Sequence, residues 1–393
     1  MAKAGDFLKK FGYNKKPKFS SGILPLDIIL NGGMKFGGCY AIGSPSQGGK
    51  STLTLQICKF LCDSGKFVYY FDIEQGVDEN QIEGAGLSKY LEPLDGEDYP
   101  RFGFTNEVYR YSDFQNAIRD IVELKKQGIV SYDFIIADSL SSLVSETIEY
   151  GDAEAATYAA DARPLAKTVK SLRGMMGVNQ ITLWNIVQAA SNIGGTQWEP
   201  EWVAKMTKAL EHAVDALIII EHPTAKSYKI WGKKRTPNGD EDVEIGYYGK
   251  LYTTKSRKGL NRVKVVVPMI MGKGLDNVQY LMNTLLSTGV FVKGTKYYKY
   301  NDANGIEQRI EGEDNYRKFV LENYATLVDM MNKLGFFDLT NDATIQNVAT
   351  IEPSDVAGAN VSEEELRNET NNIEDTENAN DKFDTCTNET QFV

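Results

Sequence analysis

Residues 42–52 read Ile42-Gly43-Ser44-Pro45-Ser46-Gln47-Gly48-Gly49-Lys50-Ser51-Thr52, after an apolar Cys39-Tyr40-Ala41 run and before the helical pattern Leu53–Phe60. Strand, glycine-containing loop, Lys-Ser and helix follow one another in the order that a polyphosphate requires. Backbone N–H groups at a helix N-terminus wrap phosphate oxygens, the Lys50 ammonium reaches the terminal phosphates, and the Ser51 hydroxyl ligates a divalent cation. The strict spacing is Gly-x4-Gly-Lys-[Ser/Thr]. Here Gly43 lies one residue too far from Gly49, and Ser44 stands where the first glycine is expected. Gly43 through Thr52 therefore read as a degenerate phosphate loop, with a plain glycine turn as the alternative.

Outward from the loop, short apolar runs alternate with helical patterns. Phe67–Phe71 ends at Asp72-Ile73-Glu74, Asp133–Ala137 ends at Asp138-Ser139, and Ile181 runs to Gln188. Helical spacing covers Asp113–Gln127 and Ala160–Met176, and another helix is predicted to open at Ser20 and stop at Asn31-Gly32-Gly33. Strands alternating with helices predict an α/β fold with a mostly parallel central sheet covered on both faces. Ligands then sit at the carboxyl ends of the strands, where Glu74, Asp138 and Gln188 all fall.

Those three residues suit nucleotide hydrolysis. Asp138 is read as the carboxylate that holds Mg²⁺ together with Ser51, or else as a helix cap. Glu74 can place a carboxylate beside an attacking water, or be a surface acid. Gln188 can hydrogen-bond the terminal phosphate and pass its presence into the next loop.

At 393 residues the chain accommodates one large core with appendages. It shows no apolar stretch of membrane-spanning length and no signal-peptide core near its start. Cys39, Cys58, Cys62 and Cys386 form no metal-binding pattern. Cys58 and Cys62, one helical turn apart, read as buried thiols, which fits a reducing cytoplasm. The net charge is −11, but residues 351–393 carry 12 acidic and 2 basic residues, so the body is near neutral. That Asn-, Thr- and Glu-rich tail is predicted to be disordered, either as a solubiliser or as an electrostatic competitor for a basic surface.

Two segments look unlike core. Glu146–Tyr158 is polar and rich in small residues. Ala189–Lys208 carries Trp198, Trp202, Lys205 and Lys208. Tryptophan and lysine interleaved in a loop suit single-stranded nucleic acid, where rings stack on bases and ammonium groups meet phosphates. Tryptophans packed on their own domain are the alternative. Arg163, Lys167 and Lys170 recur at helical spacing, as a phosphate-facing stripe or a solvated face. The boundaries predicted are a basic arm at 1–17, a core at 18–280, a small α+β lobe at 281–350 with one helix over Asp314–Lys333, and the tail at 351–393.

With these residues in place, the chain resembles RecA-type recombinases, and the phage UvsX branch more than the bacterial one. The resemblance covers roughly Lys18–Gly274. It rests on Gly32–Gly38, the loop ending Gly49-Lys50-Ser51-Thr52, Phe71–Asp78, Ile135–Ser139, the strand to Gln188, and Lys255-Ser256-Arg257 before Val263–Val267. It implies a RecA-like P-loop core and a DNA-dependent ATPase using ATP and Mg²⁺ in a bacterial cytoplasm, encoded by a phage. Such a protein filaments on single-stranded DNA, pairs it with double-stranded DNA and exchanges strands, with possible loader and single-strand-binding partners. By the same resemblance Glu74 is the general base, Gln188 the switch, and Asp78 a neighbour of the adenine. Lys255 and Arg257 would reach the γ-phosphate held by an adjacent protomer, on which the Phe7–Phe11 arm would dock. Glu146–Tyr158 and Ala189–Lys208 would be the two DNA loops, and Arg163 and Lys170 match DNA-contacting positions. The chain departs from the family at Ser44 and Gly48. It also departs at Gln81 and Met271, where aromatic residues normally meet adenine, and at Met206–Lys208, which lacks a glycine pair. A ring-forming helicase motor and a regulatory RecA-fold ATPase are the alternatives, although the core begins too early for a helicase's N-terminal domain.

Overall fold

The computed structural model describes residues 16–144, 159–192, 202–236, 239–257, 264–302, 304–337 and 339. The predicted arm up to residue 15, the Glu146–Tyr158 segment, Trp198 and the acidic tail lie outside the described residues. An antiparallel ribbon, β1 (Lys18–Phe19) with β2 (Met34–Lys35), brackets helix α1 (Leu24–Ile29). The helix predicted to open at Ser20 begins later. Asp27 captures the Ser20 and Ser21 hydroxyls at 2.5 and 2.7 Å and the Ser21 N–H at 2.9 Å, which folds Ser20–Gly22 into a buried turn. Pro25 then starts the helix with its φ already set.

The central sheet has eleven strands. In chain order come β3 (Cys39–Ser44), α2 (Lys50–Asp63), β4 (Phe67–Asp72), α3 (Glu79–Gly84), β5 (Phe102–Thr105), α4 (Tyr111–Lys126), β6 (Tyr132–Asp138), α5 (Ala159–Val178) and β7 (Thr182–Ser191). Then follow β8 (Trp202–Ala204), α6 (Lys208–Ala213), β9 (Ala216–Glu221), β10 (Lys229–Thr236), β11 (Gly239–Ser256), β12 (Lys264–Ile270) and β13 (Gly274–Leu275). Strands β5, β4, β6, β7, β3 and β9 lie side by side and parallel. An antiparallel wing of β11, β12 and β13 continues from β9, with β10 paired to the part of β11 that rises beyond it.

Period-two alternation explains why these strands read as nearly continuous apolar runs. Ile42, Tyr70, Ile136, Trp184 and Ile186 point into a core shared with α1 and α2, whereas Ala41, Phe71, Ile135, Ala137 and Leu183 point into one shared with α4 and α5. Both faces are dry, so both sets are apolar. Phe114, Ile118, Ile121 and Val122 give α4 its stripe, and Val169, Leu172 and Met176 give α5 its own. Cys39, Cys58 and Cys62 are buried free thiols. Among the described residues, no helix is long and apolar enough to cross a membrane.

Helix α7 (Asn277–Ser287) runs across residues 280 and 281, where the sequence reading drew its boundary. A three-stranded sheet follows, β14 (Val292–Lys293), β15 (Tyr297–Asn301) and β16 (Glu307–Glu311), with α8 (Glu313–Glu322) and α9 (Tyr324–Lys333). The single helix predicted over Asp314–Lys333 is two. Asn323 bonds the Phe319 carbonyl through its side chain at 2.8 Å, the local competition that ends a helix. This lobe shares one continuous core with α1 and α2 through Phe291, Tyr316, Val328 and Met331.

Candidate active site

Strand register sets the rows of this site. Asp72 lies opposite Asp138, Asp138 opposite Ile186, and Ser44 opposite Gln188. Glu74, two residues beyond Asp72, thus belongs to the layer of Ser44 and Gln188, all at the carboxyl ends of β4, β3 and β7. The phosphate loop leaves from this layer. Gly49, at φ 75°, caps α2 in the left-handed region, and Lys50 and Ser51 begin the helix. Thr54 donates to the Lys50 carbonyl at 2.8 Å and accepts the buried Trp184 Nε1–H at 3.1 Å, which seats the first turn on the sheet.

The departure at Ser44 and Gly48 has a steric account. A Cβ at Gly48 would lie 2.7 Å from both Cβ and Oγ of Ser44. The loop therefore moves its small residue across the turn: a side chain at position 44 demands none at 48. Ser44 Oγ is spent on the Pro45 carbonyl at 2.8 Å, where the Gly48 N–H also points at 3.1 Å. The cradle of N–H groups at Gly49–Ser51 is left clear for phosphate oxygens.

Asp138 is nearly enclosed, and burial pushes its carboxyl up to about 6. The Tyr70 hydroxyl, donating at 2.8 Å, and the Lys50 ammonium pull it partly back; the neighbouring Glu74 and Asp72 carboxylates raise it. A carboxylate so short of compensating charge suits a divalent cation. Ser51 and Asp138 are the residues present that fit Mg²⁺.

Asp72 accepts the Gly76 and Val77 N–H groups at 3.1 and 3.0 Å, which turns the chain after β4 and leaves Glu74 exposed. The Glu74 N–H donates to the Asp138 carbonyl at 2.8 Å. Its Oε1 accepts from the Ser139 and Ser142 hydroxyls at 2.6 and 2.9 Å. Both bonds fall on one oxygen, so Oε2 is the atom that can face a water. Gln188 is exposed, and its carbonyl accepts the Lys205 N–H at 2.6 Å.

Other sequence-nominated residues are placed differently. Asp78 caps α3, accepting the Gln81 N–H at 2.8 Å, while Gln81 Oε1 accepts the Asp78 N–H at 3.3 Å. Among its described residues, part of the loop expected from Ala189 to Lys208 is regular: β7 continues to Ser191, β8 pairs with it, and α6 begins at Lys208. The ladder pairs this backbone, and Trp202 packs beside Ala189, Ile219 and Tyr252. Lys205 is exposed, as is Lys170 on α5, the helix that also carries Arg163. Lys208 pairs with Glu211 at 3.1 Å.

Lys255 and Arg257 are not brought to the phosphate loop. β11 runs antiparallel to β9, so Lys255 lies opposite Leu217, near the amino ends of the parallel strands. Four residues of β3 separate that end from Ser44, roughly 13 Å before the loop begins. Lys255 Nζ donates to the Glu211 carbonyl and Arg257 to that of His212, the last turn of α6, and Arg257 also faces Asp215 at 3.6 Å.

Sequence reasoning missed Tyr70, Ser142 and Tyr247. The serines after Asp138 were visible but had no partner until the turn after β4 placed Glu74 beside them. Tyr247 is about two hundred residues from the loop it covers. A surface depression lined by Phe67, Glu97, Lys125, Gly128 and Ser131 lies at the amino ends of β4 and β6, away from this chemistry.

No protein-family model matches the chain. It is similar to curated proteins named RecA. It is 24% identical over 309 residues to that of Thermosynechococcus vestitus, covering 79% of this chain and 78% of the relative. With that of Nostoc sp. it shares 24% over 303 residues, 77% and 76% of the two chains. With that of Trichodesmium erythraeum it shares 22% over 295 residues, 75% and 74%. These likenesses support a RecA-type recombinase with a mixed α/β core.

Proposed function

We propose, from the likeness to RecA proteins, that this chain is a DNA-dependent ATPase that assembles on single-stranded DNA and exchanges strands with a homologous duplex. The UvsX-like variant of that activity, encoded by a phage and working in a bacterial cytoplasm with loader and single-strand-binding partners, is the reading its sequence favours. One observation carries the proposal. The glycine loop, the caged Asp138, the serine-held Glu74 and the exposed Gln188 converge on one edge of the sheet, while Lys255 and Arg257 lie at the other.

Lys50 and the Gly49–Ser51 N–H groups hold the phosphates of ATP. Magnesium, when bound by Ser51 and Asp138, withdraws charge from the phosphate oxygens. Glu74 orients a water through Oε2 and takes its proton, with Ser139 and Ser142 fixing the carboxylate. Gln188 is joined by its own carbonyl to Lys205, so a movement of Gln188 is carried into the segment proposed to hold DNA. Lys170, Lys205 and Lys208 supply phosphate contacts there. In this reading Lys255 and Arg257, which lie away from their own loop, serve the loop of a second protomer, which makes ATP part of the contact between copies.

The test is ATP hydrolysis with and without single-stranded DNA, alongside electron microscopy of the complex with an ATP analogue. Stimulated turnover and helical filaments are expected from the wild type, and Lys50→Ala is expected to lose both. Turnover indifferent to DNA, or a closed ring, refutes the proposal.

A further inference from the structure

Beyond the β9 edge, β11 rises past the end of its neighbour and carries Tyr247 over the phosphate loop. Register places Tyr247 opposite Met269 on β12 and opposite Lys229 on β10. A Cβ on Gly49 would lie 2.9 Å from Met269 Cε and 3.0 Å from the Tyr247 hydroxyl. Those two side chains therefore rest on the residue that caps α2. The His222 ring stacks on the Tyr247 ring, centroids 3.9 Å apart with 26° between planes, and fixes its orientation.

The hydroxyl at the end of that ring has no hydrogen-bond partner among the described residues, although only 5% of Tyr247 is exposed. A buried hydroxyl without a partner keeps its full desolvation penalty, so its presence calls for a ligand or a role. Burial holds it protonated, with its ionisation pushed up to about 12, which makes it a donor at neutral pH. Beside it stand the N–H groups that open a helix of 14 residues. A neutral donor there finds its complement in an anionic oxygen.

We propose that the Tyr247 hydroxyl donates to an oxygen of the phosphate chain held at the Gly49–Ser51 turn, making the antiparallel wing a direct part of the nucleotide site. The inference rests on the nucleotide-binding reading above and adds a residue that the loop motif does not contain. It also gives β11 two kinds of work along its length: Tyr247, near its middle, reads the chain's own phosphates, while Lys255 near its end and Arg257 just past it lie away from them.

The experiment compares wild type with Tyr247→Phe, which keeps the ring, the His222 stack and the cover over Gly49. Equilibrium binding of ATP and of inorganic tripolyphosphate is measured for both, together with unliganded melting temperature. The variant is expected to bind both ligands about tenfold more weakly, the size of a lost bond to a charged acceptor. Its unliganded melting temperature is expected to equal or exceed that of wild type, because the removed hydroxyl had no partner. Unchanged affinity for both ligands overturns the inference. So does weakening toward ATP alone, which would assign the hydroxyl to ribose or base, and so does a lower unliganded melting temperature, which would reveal a partner within the fold. Failure of the wild type to bind either ligand would instead refute nucleotide binding itself.

Discussion

The two ends of the central sheet are built on opposite principles. At the carboxyl ends, polar groups are left with capacity to spare: Asp138 is short of positive charge, Glu74 keeps one oxygen free, and N–H groups open α2. At the amino ends the charged groups of this cluster are paired within the chain. Asp215 accepts the Cys39 N–H at 3.0 Å and Arg173 at 2.6 Å, and it faces Arg257, while Lys255 and Arg257 neutralise the carbonyls that end α6. A helix C-terminus favours cations, so the basic pair has a resting place in the single chain. Under the proposed function, each copy holds half of a reaction centre open and keeps the complementary half folded against itself.

The largest effect should come from separating the two ends. Lys255→Ala combined with Arg257→Ala is expected to lower DNA-stimulated hydrolysis by about 10³-fold or more, the scale of a cationic finger on a phosphoryl transition state. Nucleotide affinity of the dispersed chain should stay as in wild type. Affinity falling in step with turnover would join the two ends and break the comparison.

A smaller effect tests the frame between them. Asp27 is fully buried, and desolvation pushes its carboxyl up to about 6, against the pull of the Ser20 and Ser21 bonds. A carboxyl raised in the folded state favours folding most below its unfolded value, near 4, and loses that contribution as pH rises through about 6. Asn at this position does not titrate. The stability of Asp27→Asn relative to wild type should therefore improve by about 2 kcal/mol between pH 4 and pH 7. Denaturant melts at both pH values measure it, and a pH-independent difference counts against the buried charge.

The smallest effect sharpens the account of the loop itself. Gly48→Ala drives a methyl into Ser44 and should weaken nucleotide binding by about 1–3 kcal/mol. Adding Ser44→Gly should recover most of it. Two losses that simply add would mean that positions 44 and 48 do not share one space.

Much of this site was legible in sequence because strand ends are marked locally. An apolar run stopping at Asp72, Asp138 or Ser44 announces both a strand and the polar residue at its tip, and a parallel sheet gathers such tips on one edge. The Ser20 turn was misread as helix because Asp27 reaches back seven residues, a distance that helix-cap patterns do not cover. Trp202 was ambiguous for a related reason: interleaved Trp and Lys describe a DNA loop and a packed hairpin equally well, and only the ladder to Ser191 shows which backbone is paired.

The sequence by itself determined the alternation of elements, the glycine loop that opens α2 and the identity of the residues at the strand tips, since these follow from spacing along one segment. Tertiary structure alone decided which segments from distant parts of the chain meet. It put Tyr247 over Gly49, Ser142 on Glu74 and the Lys255–Arg257 pair at the far end of the sheet. Register and strand direction set those encounters, and both are properties of pairing between segments that no single stretch encodes.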